Sequence, residues 1–409
     1  MFRNVKTIAN KGIGEKRLLA VLFNDCIVRF ENTANGDVTV HSETQKFPST
    51  GALALKRGTG GRSSFNGTVC TVFGASGFLG RHVCNKLGKI GTQIIIPFRG
   101  DPYEVRHLKV VGDLGQVLFF PYYLRNPESI YKAVKYSNVV INLIGKDNET
   151  PSFTYDEVHV EGARLLAKVC RDAGVQRFIH VSSLNCSENP PSHILKGGSR
   201  FLKSKYYGEL AVREEFPDAI IFRPADIFGG IDRFFRYWQH WSRRVYGRIH
   251  LWNKGKGVYK QPVYAGDVAQ GIVNAIFDND APGKTYDCVG PRRYELYELV
   301  SFFNRILEKD ERYGWKIKDL RFSPYMWARF AFWGYFFKYP DNGLCWDKVE
   351  REMVTDTVTP NHPTLEDLGV QLTLMEPHAF YTLTPLRRMG YYPIILDEYP
   401  KINPPPFVQ

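Results

Sequence analysis

Residues 68–98 read TVCTVF, GASGFLG, RHVCNKLGKIG and TQIIIPF in succession. The first run is β-branched and aromatic and reads as a buried strand; the last is a second apolar strand ending near Phe98. Between the first strand and a helix-like run stand three glycines, Gly74, Gly77 and Gly80. Glycines in such a turn let backbone N–H groups close on a pyrophosphate, and the helix N-terminus favours its negative charge. With Ser76, Phe78 and Leu79 between them, they make a candidate dinucleotide cradle. A lone glycine pattern carries little weight. Set between a strand and a helix, with a second strand behind, it predicts a nucleotide-binding α/β unit. The competing explanation is a loop that is glycine-rich only because it packs tightly.

The alternation continues. GQVLFFPY (115–122) reads as a third strand and NVVINLIG (138–145) as a fourth, whose end, Leu143–Gly145, should pass beside the ligand. A helix over Glu157–Ala173 precedes a fifth strand, RFIHVSSLN. RPADIFG (223–229) reads as a sixth strand with its turn, and QPVYAGDVAQGIVNAI (261–276) as a strand running into a helix. Strands alternating with helices imply an α/β fold with a doubly wound parallel sheet, and ligands at the carboxyl ends of the strands. Directly behind the second strand stands Arg99, with Asp101 two residues on and Arg81 and His82 just past the last glycine. An acid at the end of that strand grips a ribose 2′-hydroxyl, whereas a guanidinium suits a 2′-phosphate. Arg99 therefore favours NADP(H) over NAD(H), against the plainer reading of a solvated loop arginine.

The spacing GxxGxxG is that of the extended short-chain dehydrogenase/reductase superfamily. The resemblance implies a Ser or Thr after the fifth strand, then Tyr-x-x-x-Lys on the next helix, since positions four apart share one helix face. Ser182 and Ser183 are candidates for the first role. In SRFLKSKYYGE (199–209), Lys205 fits the lysine and Glu209 a glutamate often seen four residues later. The tyrosine position holds Phe201, which keeps the ring and lacks the transferable proton. Tyr206 and Tyr207 point about 100° and 200° away from Lys205 around a helix and cannot replace it. The implied site is a remnant, Ser183, Phe201 and Lys205, with no catalytic acid. The superfamily also implies an acid near the adenine, and Asp113, with Leu114 beside it, is the candidate. No residues are assigned to a metal.

Composition narrows the setting. The 409 residues carry a formal net charge of +12, which calls for an anionic partner; no nucleic-acid-binding motif accompanies it. Seven scattered cysteines without a CxxC pair argue for a reducing compartment. The first 65 residues hold ten Lys/Arg against five Asp/Glu, and the opening MFRNVKTIANKGIGEKRLLAVLF resembles a mitochondrial presequence. No run reaches the roughly 18–20 apolar residues of a membrane span; the nearest, FSPYMWARFAFWGYFF (322–337), has Arg329 in its middle.

GRSSFNGTVCTVFGASGFLGRHV, IIPFRGDPYEVRHLKVVGDLGQVLF and NVVINLIGKDNET together resemble the short-chain-dehydrogenase-like accessory subunits of mitochondrial respiratory complex I, from about residue 58 to the C-terminus. That resemblance implies NADPH held on the matrix side of the inner membrane without turnover. It also implies complex I subunits near the quinone-reaction region as partners, at the junction of the peripheral and membrane arms. The nucleotide-site residues it carries over are Gly74, Gly77, Gly80, Arg99, Asp113, Gly145, Ser183 and Lys205. The expected organisation is a basic targeting extension (1–57), a nucleotide-binding domain (58–230), a smaller C-terminal lobe (231–390, with the sheet resumed near 261–290) and a proline-rich extended tail (391–409). The arginine- and aromatic-rich stretches 233–252 and 322–337 are candidates for anionic lipid or partner contact; ordinary ion-paired or core segments are the alternative. The competing function is an active NADP-dependent reductase or epimerase acting on a lipid or sugar nucleotide.

Overall fold

The computed structural model describes residues 57–58, 60–240, 243–311, 314–336, 345–387, 390, 392 and 402–408. The expected targeting extension lies outside them apart from Arg57. Seven strands form one sheet: β1 (Val69–Phe73), β2 (Gln93–Phe98), β3 (Val117–Pro121), β4 (Val139–Asn142), β5 (Arg177–Val181), β6 (Ile220–Pro224) and β7 (Thr285–Cys288). Their order is β7-β6-β5-β4-β1-β2-β3, and every neighbouring pair is parallel. Both faces of the central strands are covered, so β1, β2 and β4 read as nearly continuous apolar runs rather than alternating ones. On one face α1 (Phe78–Lys89) and the short helical segment Pro102–Val111 pack through Val83, Leu87, Val105 and Leu108. The other face receives α2 (Pro127–Val134), α3 (Gly162–Asp172) and α4 (Arg200–Glu215) through Ile130, Leu166 and Val212.

The remaining helices are α5 (Phe234–Gln239), α6 (Ala265–Phe277), α7 (Leu296–Ile306), α8 (Pro324–Phe336), α9 (Trp346–Met353) and α10 (Met375–Leu383). Helix α6 joins α1 on its face of the sheet through Val268 and Ile272. A second apolar cluster gathers Phe228, Phe234, Phe235, Trp238, Leu299, Phe303 and Met375. Strand order reverses at β1, which has β2 on one side and β4 on the other. A ligand crevice belongs beyond the carboxyl ends at that switch point.

The core reading of 233–252 describes part of that stretch. Among its described residues only Phe234–Gln239 is α-helical, and Arg233, Arg236 and Arg248 are exposed. Phe234, Phe235, Tyr237 and Trp238 are core, and Arg243 and Arg244 are buried. Arg243 pairs with Glu352 at 2.7 Å and Arg244 donates to Asn304 Oδ1 at 2.6 Å, so these two arginines follow the ordinary paired reading. In the tail, Phe407–Val408 is an extended strand antiparallel to Arg293–Glu295.

One local distortion positions the site. The helix expected over Glu157–Ala173 opens with a wide π turn at Glu157–Glu161 before α3 begins. This extra residue turns His159 toward α4. Its Nε2 accepts from the Lys146 amide at 3.1 Å, so its proton sits on Nδ1 and is donated to Ser204 Oγ at 2.8 Å. Ser204 in turn donates to the carbonyl of Phe201 at 2.9 Å. Close approach of α4 to the π turn requires Gly208, where an added Cβ would stand 2.3 Å from the His159 carbonyl oxygen.

Two measurements check this packing. Gly208→Ala is expected to destabilise the chain by ~1–3 kcal/mol in urea unfolding, because backbone must shift; a change within a few tenths would contradict the contact. Burial, reinforced by Lys205, holds His159 down to about 2 and His180 down to about 3. Both lie below the ordinary histidine value of roughly 6.5. The stability they contribute is therefore complete above that value and is lost as pH falls toward the folded values, at ~1.4 kcal/mol per pH unit for each histidine. His159→Gln should remove about half of that slope between roughly pH 6 and 4. An unaltered slope would mean that His159 is protonated in the fold.

Candidate functional site

Gly74 ends β1 with φ +77°, and an added Cβ there would lie 3.0 Å from the Leu143 backbone at the end of β4. At Gly80 an added Cβ would lie 2.6 Å from the backbone of Ala75 and Gly74. Both positions therefore need glycine for close approach. Gly77 caps α1 without a side-chain hydrogen bond, and no acid occupies the first turn. The amides of that turn thus face no competing carboxylate, and Ser76 and Gly77 are exposed. This is the cradle a pyrophosphate requires.

Arg99 follows β2 at the surface, with its guanidinium 5.4 Å from the Phe153 ring centre. Arg125 lies 4.5 Å and Lys146 5.9 Å from the same ring. Three cations thus gather where β2, β3 and β4 end. Burial and Arg99 together lower the Lys146 ammonium from its usual value. Arg125 is partly neutralised by Glu157 at 3.1 Å.

Asp113 and Leu114 are not at this end of the sheet. They precede β3, so in a parallel sheet they stand at the amino ends of the strands, away from the glycine turn. Asp113 pairs with Arg62 at 3.9 Å, and nearby Gln116 donates to the carbonyl of Thr92, which precedes β2. Leu114 is fully exposed. The positions that do follow β3 are Tyr122, Tyr123 and Leu124; Tyr122 packs edge-on against Phe73.

The other expected residues meet at one cavity of about 370 Å³ lined by Phe78, Gly145, Ser182, Ser183, Phe201 and Lys205. Lys205 is buried on α4, and its Nζ donates to the Val181 carbonyl at 3.1 Å. Gly145 adjoins it: an added Cβ would lie 3.4 Å from Lys205 Nζ. Burial, opposed by Glu209, holds Lys205 down to about 8. Glu209 itself is committed to Arg223 in a two-pronged pair, with Nη2 at 2.6 Å. Tyr206 and Tyr207 pack on each other and line no part of the cavity.

Phe201 is enclosed. The edge of its ring meets His159 at 5.3 Å and Tyr155 at 5.9 Å between centres, and the guanidinium of Arg351 lies over it at 4.2 Å. The Tyr155 hydroxyl donates to the Asp147 carbonyl at 2.9 Å, and burial raises it above its ordinary range. It is unsuited to supply the missing proton. Asp147 also holds Arg351 at 2.8 Å and Lys348 at 3.1 Å; these cations outweigh burial and keep its carboxyl well below the usual range. The sequence reading missed Asp147, His159 and Arg351. Asp147 follows the fourth strand closely enough to have been suspected; Arg351, on a distant helix, leaves no local signal.

The chain matches the family model for the NAD dependent epimerase/dehydratase family over residues 70–288. It is 44% identical over 359 residues to the mouse (Mus musculus) protein "NADH dehydrogenase (ubiquinone) 1 alpha subcomplex subunit 9, mitochondrial", covering 86% of this chain and 88% of the relative. The Neurospora crassa "NADH-ubiquinone oxidoreductase 40 kDa subunit, mitochondrial" is 34% identical, with 89% of each chain covered. Among solved structures, a dTDP-glucose 4,6-dehydratase from Streptomyces venezuelae superposes with a TM-score of 0.57 at 16% identity, over 79% of this chain and 98% of that one. That likeness shows the fold alone. Glycine cradle, strand order and these relatives together place the chain in the NAD dependent epimerase/dehydratase family and, within it, in the family of the mitochondrial alpha subcomplex subunit 9 proteins.

Proposed function

We propose that the chain is a non-catalytic accessory subunit of mitochondrial complex I that holds NADPH as part of its structure. The observation that carries this is Phe201 beside a buried Lys205 and the glycine turn: the residues expected to hold a nucleotide are present, and no phenol stands where the proton donor would. Losing a general acid costs about 10²–10⁴ in rate. Backbone amides at Gly74–Gly80 would hold the pyrophosphate. Lys205, Gly145 and Ser183 would line the nicotinamide ribose, and Arg99, with Lys146 and Arg125 nearby, would meet the 2′-phosphate. Bound NADPH supplies hydride chemistry in other proteins; here its role is to stabilise the native state by binding only that state.

The names of the relatives support a mitochondrial setting and partners among the subunits of the NADH–ubiquinone oxidoreductase, complex I; the matrix side of the inner membrane is the side that the family resemblance implies. No helix among the described residues is long and apolar enough to cross a membrane. Exposed Phe322, Tyr325, Trp327 and Phe332 around α8 make that side the candidate contact with lipid or a neighbouring subunit. The second reading, an active NADP-dependent reductase or epimerase, draws on the retained lysine and its cavity.

Arg99→Glu should weaken NADPH relative to NADH by ~10–100-fold, the worth of a charged hydrogen bond to phosphate, and lower the abundance of assembled complex I. Nucleotide content after desalting and native electrophoresis read the two effects. Normal assembly of a chain emptied of nucleotide would remove the structural role, and NADPH consumption abolished by Lys205→Met would favour the second reading.

A further inference from the structure

The five charged side chains of α9 are tied to four separate places around it. Asp347 Oδ1 accepts from the Ser199 hydroxyl at 3.0 Å and the Arg200 amide at 2.8 Å, where α4 begins. Lys348 and Arg351 hold Asp147, behind β4. Glu350, fully buried, accepts from the amides of Ile194 at 2.8 Å, Leu195 at 3.1 Å and also His193, in the loop between β5 and α4. Glu352 accepts from Arg243 at 2.7 Å and from the Tyr237 hydroxyl. An eight-residue helix held at four separate places by charged hydrogen bonds is a fixed wall, since breaking one buried pair leaves an uncompensated charge.

That wall stands where a substrate would approach. Lys348, Arg351 and Glu352 line the same cavity as Ser183, Phe201 and Lys205. The Arg351 guanidinium, oriented by two hydrogen bonds to Asp147, lies over the Phe201 ring. A cation over an aromatic face gains from the ring quadrupole, more so when desolvated. The residue at the tyrosine position thus serves as the seat for Arg351.

We propose that α9 is a resident occupant of the substrate side of this cleft: Arg351, seated on Phe201 and held by Asp147, closes the nicotinamide end of the cavity to external hydride acceptors. The proposal rests on the dinucleotide reading of the site and goes beyond the missing proton. Loss of the hydroxyl alone would leave bound NADPH reachable; the clasp shields it.

Two measurements on the full chain test this with Arg351→Met, which keeps the side-chain length and removes the charge. The first is quenching of bound NADPH fluorescence by acrylamide, a neutral probe. In the unaltered chain, quenching should be several-fold weaker than for free NADPH, and Arg351→Met should bring it close to the free value at unchanged nucleotide content. Quenching like free NADPH in the unaltered chain, or equal quenching in both proteins, overturns the proposal. The second, amide hydrogen exchange at Ile194 and Leu195, needs no nucleotide. Arg351→Met and Glu350→Gln should each speed it by ~10-fold or more as the clasp loosens; unchanged exchange in both overturns the clasp. A chain that holds no NADPH yet shows the exchange effect would sink the dinucleotide reading and keep α9 as the wall.

Discussion

The structure depends on how closely the glycine turn after β1 approaches the end of β4. With Gly74 at φ +77° and its Cα against the Leu143 backbone, the chain turns from strand to helix inside the space of one side chain. Gly80 then lets α1 start directly over the same turn. Those two contacts fix the crevice at the switch point of the sheet, and the rest of the site is arranged around it. β4 delivers Gly145, Lys146 and Asp147; β5 delivers Ser182 and Ser183; α4, seated by Gly208 on the π turn, delivers Phe201 and Lys205. A side chain at 74 or 80 would disturb all of these together, so the candidate nucleotide site and the packing of the fold depend on the same contacts.

Within that frame the charges are balanced rather than poised. Lys205 is held by a carbonyl, Glu209 by Arg223, and Asp147 by two cations from α9. His159 is fixed as a neutral ring with its proton on Nδ1. A working dehydrogenase of this type needs a group that exchanges a proton near neutral pH. Lys205, lowered to about 8, titrates nearest to neutrality among these groups, yet its Nζ is bonded to Val181.

Much of this was legible in the sequence, and the failures have physical causes. Strand, glycine turn and helix were readable because each is set by local chemistry: β-branched runs, close-approach glycines and helix spacing. The Phe201–Lys205 pairing followed from one helical turn, and Tyr206 and Tyr207 fell on other faces as that geometry requires. Asp113 failed because an acid before a strand and an acid after it look alike in a sequence, while in a parallel sheet they lie at opposite ends. The stretch 233–252 stayed open between two readings because aromatic residues interleaved with arginines suit a contact surface and also suit a small core with buried ion pairs such as Arg243–Glu352. Helix α9 was invisible because its role is tertiary: WDKVEREM reads as a solvated helix until Asp147, Ser199 and the 193–195 amides are brought against it.

The central claim is that the nucleotide is held and not turned over. The most direct test loads the chain with NADPH carrying deuterium at the transferable nicotinamide C4 position, returns it to respiring mitochondria, and measures the label in the bound nucleotide by mass spectrometry. The account predicts that label and reduced form both persist while respiration proceeds. Loss of the deuterium from nucleotide that remains bound would mean that hydride leaves this site, and would contradict it.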